Sequence, residues 1–463
     1  MISYGTSGFR DKSEIIKNIS YDIGRILAYI VKKNNTNYGI MITASHNMYL
    51  DNGVKIVNHE GEMINKDDEK IIESYVNSNF DLESLPNLLN SKTIFIGRDT
   101  RNSGIDISLE IKNGIKSYCN LINIKDLNMV TTPQHHYLVH KKSFNKLDYI
   151  NKFNILNDLD LYTKSLLIDC ANGVGYLALK DFKIDLNLIN TDINNYEKLN
   201  NNCGSDFVIS ENEFPSNFIN NKLGCSLDGD ADRFIFYFND NGLKILDGDY
   251  IGALYLLSIL KHNELMNLDC SIGYIHSPYT NSGLINWIKN LNKNVNIECT
   301  APGVKNLHKE AIKYDIGIYF ESNGHGTMLI NTNLLKYHFL KIFNLINNQV
   351  IGDGISGIFC VIYCLVFLNI NVKEWFNLFQ KKDYLLYKKK VNDKNLFKAN
   401  KIGNKLIEPI DLQNDLDIIN KDNNCISFIR PSGTEDVIRI YIEGDNLNKI
   451  KDNIELNLDK YIL

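Results

Sequence analysis

A broad positive charge is missing from this chain. Its 463 residues carry a formal net charge of −5, which argues against a protein that grips nucleic acid through a wide basic surface. Any anion it binds must then be held by a local cluster. The nine cysteines, Cys119, Cys170, Cys203 and Cys225 among them, are scattered, without CxxC pairs or the density of a small secreted scaffold. A cytoplasmic, reducing compartment is expected. Met1 to Lys12 lacks the apolar core of a signal peptide. The apolar run Ile358 to Leu368 stops at Asn369, short of the ~20 residues that cross a bilayer, so it reads as a buried helix and no membrane anchor is expected. Internal repeats are also missing.

What is there suits a large globular protein. A hydrophobic content of 44% and a charged content of 23% allow a sizeable core. At roughly 100 to 200 residues per domain, the length calls for three or four of them. Short apolar runs read as strands at Tyr38–Ile42, Thr93–Ile96, Leu166–Cys170, Ile184–Ile189, Phe234–Phe238 and Ile316–Phe320. Amphipathic helices such as Ile15–Val31 and Leu307–Tyr314 lie between them. Alternation of this kind specifies an α/β protein with mixed, largely parallel sheets. Asparagine-rich stretches at Lys32–Asn37 and Asn187–Asn202 read as loops. Beyond the charged stretch Lys381–Lys394, strands at Ile426–Ile429 and Val437–Glu443 and a helix from Asn446 form a smaller C-terminal α+β domain. The expected division is 1–153, 154–248, 249–381 and 382–463.

Three segments carry chemistry. Asp228-Gly229-Asp230-Ala231-Asp232-Arg233 places three carboxylates at alternate positions around a glycine. Two full charges 4 Å apart repel by about 4 kcal/mol at an effective dielectric of 20, so three that converge require a cation. Oxygen-only ligands on a compact loop suit Mg²⁺; a calcium loop would want Glu at its twelfth position, where Asn239 stands. The bland reading is a solvated acidic turn. Thr43-Ala44-Ser45-His46-Asn47 follows a strand, where α/β sheets place ligand sites; Ser45 is a candidate nucleophile polarised by His46, against an ordinary Ser/Asn-stabilised turn. Arg430-Pro431-Ser432-Gly433-Thr434 offers a guanidinium, two hydroxyls and a glycine to a phosphate, and the alternation after it outweighs a helix capping box from Ser432 to Glu435. A fourth segment competes: Gly173-Val174-Gly175-Tyr176-Leu177-Ala178 fits a dinucleotide fingerprint with Asp192 downstream, which keeps an NAD-dependent oxidoreductase as a remote alternative.

Together these segments resemble the α-D-phosphohexomutases and, within them, the phosphoacetylglucosamine mutases. The resemblance runs in order through Tyr4 to Arg10, Thr43 to Asn47, Asp51 to Lys55, Gly97 to Arg101, Thr131 to Gln134, the triple-aspartate loop, Pro302 to Lys305, Glu321 to Thr327 and Arg430 to Arg439. It implies four domains around one cleft and a phosphosugar mutase interconverting N-acetylglucosamine 6-phosphate and 1-phosphate, on the way to UDP-N-acetylglucosamine. The alternative within the superfamily is a phosphogluco- or phosphomannomutase. It implies a phosphate on Ser45, one Mg²⁺ held by Ser45, Asp228, Asp230 and Asp232, and a hexose 1,6-bisphosphate intermediate. Arg10, Lys55 and Arg233 fall near the transferring group, with Lys55 as acid/base. Glu321, Ser322, Asn323 and His325 fall on the sugar, with Lys305 at the same rim. Arg430, Pro431, Ser432, Gly433, Thr434 and Arg439 fall on the non-reacting phosphate. The implied partner is a small phosphosugar, with neither nucleic acid nor membrane. Met48 stands where the family usually has proline, and Ile209 where it has lysine.

Overall fold

Four sheets of three or more strands follow one another along the chain. The computed structural model describes residues 2–5, 8–78, 80–86, 90–159, 166–432 and 437–461. The first sheet runs in the order Phe9–Lys12, Asp51–Val57, Tyr38–Ile42, Thr93–Arg98, Asn123–Met129, with the last three parallel. The second runs Leu243–Leu246, Phe234–Asn239, Leu223–Leu227, Leu166–Asp169, Asn187–Ile189, again with the last three parallel. The third places Asn296–Cys299, Ile272–His276 and Ile316–Phe320 in parallel and adds Gly326–Ile330 antiparallel. The fourth is wholly antiparallel, Tyr384–Lys390, Val437–Glu443, Ile426–Pro431.

Five of the six expected strands form over most of their length, four of them in parallel ladders and Phe234–Asn239 antiparallel to both neighbours; of Ile184–Ile189 only Asn187–Ile189 pairs. Tyr38–Ile42 and Ile316–Phe320 are buried at every position. The apolar run at Ile358 lies in the helix Gly354–Leu368, most of it buried. Two differences have physical causes. The charged stretch at Lys381 contains the strand Tyr384–Lys390, whose Leu385 and Tyr387 pack on the core while Leu386, Lys388 and Lys390 face out; the run of lysines at its end hid the alternation. No break in packing accompanies the boundary expected near 248: one continuous core joins Phe236 and Leu227 of the second sheet to Ile318 of the third and to Tyr255 and Phe359 on the helices Gly248–Met266 and Gly354–Leu368.

The asparagines of the loops have a conformational use. Asn35, Asn267 and Asn369 end helices in the left-handed region at φ 50°, 48° and 53°, a conformation Asn tolerates better than most side chains. What positions the site is the end at which the parallel strands stop. The loops at Thr43, Asp228 and Glu321 all leave the carboxyl ends of such strands, where ligand crevices form in open α/β sheets.

Candidate functional site

Ser45 and the aspartate loop, 183 residues apart at Asp228, meet across the first and second sheets. The Ser45 hydroxyl donates to Asp228 Oδ2 at 2.6 Å and lies 3.5 Å from Asp232 Oδ1. Both loops carry a non-glycine residue in the left-handed region, Ser45 at φ 53° and Ala231 at φ 60°, conformations that persist only where surroundings enforce them. The enforcement is visible. Arg101, fully buried, pairs with Asp99 and donates to the Asn47 carbonyl, while Asn200 donates to the carbonyls of Ser45 and Asn47 at 2.9 and 3.1 Å. Gly229 lets the loops touch: a Cβ there would lie 2.7 Å from the Ser45 carbonyl oxygen. Thr132, first residue of the helix Thr132–Lys141, donates from its hydroxyl to Asp230 at 2.6 Å and from its amide to the Asp230 carbonyl at 3.0 Å.

Charge is concentrated here. Lys55 Nζ reaches Asp230 at 2.9 Å and Asp232 at 2.8 Å, and these carboxylates hold it protonated against the opposing effect of burial. Burial also pushes Asp232 up, but Lys55, His325 and Arg233 together hold it well below the usual carboxylate range. Asp228 goes the other way: burial, then Asp232 and Asp230, raise it well above its ordinary value. The three carboxylates each offer an oxygen within 4.8 Å of the others, and Asp230 Oδ1 is buried with no hydrogen-bond partner. Lys55 and Arg233 stand beside the three carboxylates yet leave Asp230 Oδ1 without a donor, and an all-oxygen donor set with an unused carboxylate oxygen fits a hard divalent cation such as Mg²⁺.

Arg10, on the strand Phe9–Lys12, donates to Asn47 at 3.3 Å and faces Arg233, Asp230 and Asp232. Arg233 donates to both oxygens of Asp206 at 3.1 and 3.2 Å, with its Nε 3.9 Å from Asp228 and Asp232. The loop of residues 321–325, expected to read the sugar, rests directly on this centre. Gly324, at φ 85°, abuts the Phe234 carbonyl that follows the aspartate loop, and His325 is buried close enough to Asp232 to feel its charge. Glu321 accepts from the Gly303 amide at 2.9 Å, Ser322 lies 3.4 Å from Asp249, and Asn323 accepts from the His325 amide at 3.0 Å.

Arg430 and Arg439 are opposed across the antiparallel ladder, with Pro431 opposite Ile438. Like charges directly opposite are destabilising unless negative charge is placed near them, so the pair is a candidate position for an anion. Ser432 closes the ladder through its amide to the Val437 carbonyl at 2.9 Å; Gly433 and Thr434 lie outside the described residues. Tyr279, packed on Phe428 and Tyr441, connects this rim to the third sheet. A cavity of about 630 Å³ opens between the sheets, lined by His46 and Met48 from the first, Asp206 and Ile209 from the second, Ser322 and Asn323 from the third and Tyr441 from the fourth.

Three expectations change. His46 does not polarise Ser45: its Nε2 lies 3.4 Å from Asp206, the serine proton goes to Asp228, and burial beside Arg233 and Arg10 keeps the imidazole neutral. Lys305 does not face the sugar loop; it donates to the Ile64 carbonyl and to Glu69, tying the third unit to the first. The dinucleotide fingerprint is packing. A Cβ on Gly173 would lie 2.4 Å from the Gly229 carbonyl, and Val174 donates to that carbonyl at 3.1 Å, so these glycines receive the aspartate loop where a pyrophosphate would have to sit. Asp206, Thr132, Arg101 and Asn200 are site residues that the sequence reading did not single out. Arg101 and Thr132 stand inside motifs that it quoted.

Comparison with known proteins agrees across the chain. A model of phosphoacetylglucosamine mutase AMG1, domain III, matches residues 247–370. Models of phosphoglucomutase/phosphomannomutase match residues 25–83 with the alpha/beta/alpha domain I and residues 386–456 with the C-terminal domain. The phosphoacetylglucosamine mutase of Candida albicans is 32% identical over 515 residues, covering 97% of this chain and 94% of that one. A crystal structure of an N-acetylglucosamine-phosphate mutase, a member of the alpha-D-phosphohexomutase superfamily, in the substrate complex, is similar with a TM-score of 0.87 at 30% identity, covering 99% and 96% of the two chains. Aspergillus fumigatus N-acetylphosphoglucosamine mutase in complex with GlcNAc-6P and magnesium gives a TM-score of 0.86 at 30% identity over 100% and 96%. A serine-to-alanine variant of the A. fumigatus protein, in complex with glucose 1,6-bisphosphate, gives 0.87 at 29% over the same shares.

Proposed function

The chain belongs to the phosphoacetylglucosamine mutases of the α-D-phosphohexomutase superfamily, and on that premise we propose that Ser45 is the residue through which its phosphoryl group passes. The reaction is the interconversion of N-acetylglucosamine 6-phosphate and N-acetylglucosamine 1-phosphate, with Mg²⁺ and a hexose 1,6-bisphosphate as its cofactors. One observation carries the assignment of residues. The Ser45 hydroxyl is held at 2.6 Å from Asp228 in a buried cluster of three carboxylates.

Asp228, Asp230, Asp232 and the phosphorylated Ser45 would hold the Mg²⁺, which when bound neutralises charge on phosphoryl oxygens. The remaining work belongs to the chain. The P–O bond to Ser45 Oγ breaks as one forms to the free sugar oxygen. Lys55, held protonated by Asp230 and Asp232, hands its proton to Oγ and is recharged by the proton the sugar hydroxyl gives up. Arg10 and Arg233 flank the transferring group; Asp206 holds the Arg233 fork in place. Arg430, Arg439 and the Pro431–Thr434 segment hold the phosphate that is not reacting. Turning the bisphosphate over exchanges the two ends, and the phosphate that the sugar brought in passes to Ser45 Oγ, leaving the product with the one the serine had given. Glu321, Ser322, Asn323 and His325 read the sugar. His46, kept neutral, offers hydrogen bonds at the cavity wall.

The four sheets support a division at 1–153, 154–248, 249–381 and 382–463, contributing in order the serine, the metal loop, the sugar loop and the phosphate loop. No helix among the described residues is long and apolar enough to cross a membrane, and all nine cysteines are free. Free thiols suit a cytoplasmic enzyme, there supplying the precursor of UDP-N-acetylglucosamine, and the net charge of −5 speaks against a nucleic-acid partner. The test is turnover of purified protein on N-acetylglucosamine 6-phosphate and glucose 6-phosphate with trace bisphosphate, before and after chelation. Preference for the N-acetyl sugar and loss on chelation are expected. Equal rates on both sugars would remove the assignment of Glu321 to His325, and full activity after chelation would remove that of the aspartates.

A further inference from the structure

A buried polar cluster behind the aspartate loop has no part in the chemistry above. Asp353, 3% exposed, precedes the helix Gly354–Leu368 and accepts from the Ser356 amide at 3.0 Å and hydroxyl at 2.7 Å. Tyr149, at the end of the first unit, donates to both of its oxygens at 2.9 and 3.0 Å, and Asn348 donates at 3.3 Å. Lys152 lies 3.5 Å from it, donates to Ser356 at 2.7 Å, and sits 4.5 Å from the centre of the Tyr149 ring. A charge collecting this many donors in a dry interior is fixed in place, and removing its partners leaves polar groups unsatisfied.

The residue after it touches the metal loop. The Gly354 amide donates to the Ala231 carbonyl at 2.9 Å, and a Cβ on Gly354 would lie 2.7 Å from the Arg233 carbonyl oxygen and 3.0 Å from that of Ala231. Ala231 is the residue between Asp230 and Asp232 that sits at φ 60°. A side chain in that conformation needs external support, and the direction of both flanking carboxylates depends on it.

We propose that Asp353 is a positioning residue for the metal loop: anchored by Tyr149 and Lys152, it seats the first turn of its helix against Ala231 and so aims Asp230 and Asp232. It acts from the third unit, through one backbone hydrogen bond, on ligands that belong to the second. The inference rests on the reading of Asp228, Asp230 and Asp232 as the metal ligands. Groups that hydrogen-bond a ligand directly commonly change metal affinity by about 10- to 100-fold; Asp353 acts further out, through Gly354 and Ala231, so the low end of that range is expected.

The probe is Mn²⁺, titrated calorimetrically and by its electron paramagnetic resonance into the unphosphorylated full-length protein. Asp353→Asn and Tyr149→Phe should each raise the Mn²⁺ Kd by about 10-fold, with the KM for N-acetylglucosamine 6-phosphate within about 2-fold of wild type. Leu365→Ala, a cavity in the last turn of the same helix, lowers the thermal midpoint without touching the first turn and should leave the Mn²⁺ Kd within about 2-fold. If Asp353→Asn does not fold, Tyr149→Phe decides alone. Wild-type Mn²⁺ affinity in whichever of the two variants folds, or an equal loss in Leu365→Ala, would overturn the positioning role while leaving the metal site standing. Wild-type protein that binds no Mn²⁺ would overturn both.

Discussion

Around Ser45 the chain supplies opposite charge from three directions, through Lys55, Arg10 and Arg233, and holds each group by buried contacts. At the Arg430 rim two guanidinium groups stand across one ladder, on a small antiparallel sheet that joins the cavity through Tyr279 and Tyr441. On the assignment proposed here the first region holds a cation and a phosphoryl group before substrate arrives, and the second is completed by the anion it receives. The difference separates chemistry from capture, since interactions made only in the transition state set kcat and uniform binding sets KM.

Ser45→Ala breaks the first region most severely. Turnover should fall by about three orders of magnitude or more, because the atom that accepts the phosphoryl group is gone. The fold should survive, since the serine hydroxyl contributes to a loop and not to a core; a coupled mutase assay and a thermal midpoint measure both.

Arg430→Ala should break the second region in a different parameter. Hydrogen bonds to charged groups are worth about 1.5 to 3 kcal/mol, so KM for the sugar phosphate should rise about 10- to 150-fold with a much smaller loss of kcat. A loss confined to kcat would place Arg430 with the chemistry and erase the distinction.

Acid should separate the regions by stability. His135 and His136, on the helix whose first residue holds Asp230, are buried beneath the Ser45 side; burial lowers them to about 4 and about 3 from an ordinary value of 6.5. Between those values the unfolded chain binds protons that the folded chain refuses, so stability is present above pH 6.5 and falls as pH drops toward about 4. Each histidine costs about 1.4 kcal/mol per pH unit in that window. The fourth unit contains no histidine. Hydrogen exchange at pH 7.5 and 5.5 should therefore show the helix Thr132–Lys141 losing protection before the Ile426–Pro431 ladder. Equal loss in both would assign the acid sensitivity elsewhere.

The smallest effect is expected at the cavity wall between the regions. Ile209→Lys puts a cation at the cavity-wall position where the family resemblance leads one to expect lysine. A partly exposed charge of this kind is worth about 0.2 to 1 kcal/mol, so kcat/KM should change by less than about 5-fold.

The legible parts of the sequence were those where local pattern and global role agree. Tyr38–Ile42 announces a buried strand by composition alone, and the alternate aspartates announce a cation by charge alone. Asp51–Val57 is buried at six of its seven positions yet reads as polar, because Asn52 hydrogen-bonds Ser103 and Lys55 reaches the aspartates from inside a sheet. Functional positions are where a sequence breaks its own local rules. Asp206 and Asn200 carried no local signal, since their partners Arg233 and Ser45 lie 27 and 155 residues away. The glycines at 173 and 175 misled for a related reason. A backbone making room for another backbone leaves the same trace as one making room for a ligand.

The central claim is that Ser45 carries the phosphoryl group, and intact mass with peptide mapping tests it most directly. Protein treated with Mg²⁺ and hexose 1,6-bisphosphate should gain one phosphate, on Ser45. The Ser45→Ala variant should gain none, chelated protein should gain it far more slowly, and excess N-acetylglucosamine 6-phosphate should remove it. Phosphate on another residue, or wild-type turnover by protein that never acquires phosphate, would contradict the account.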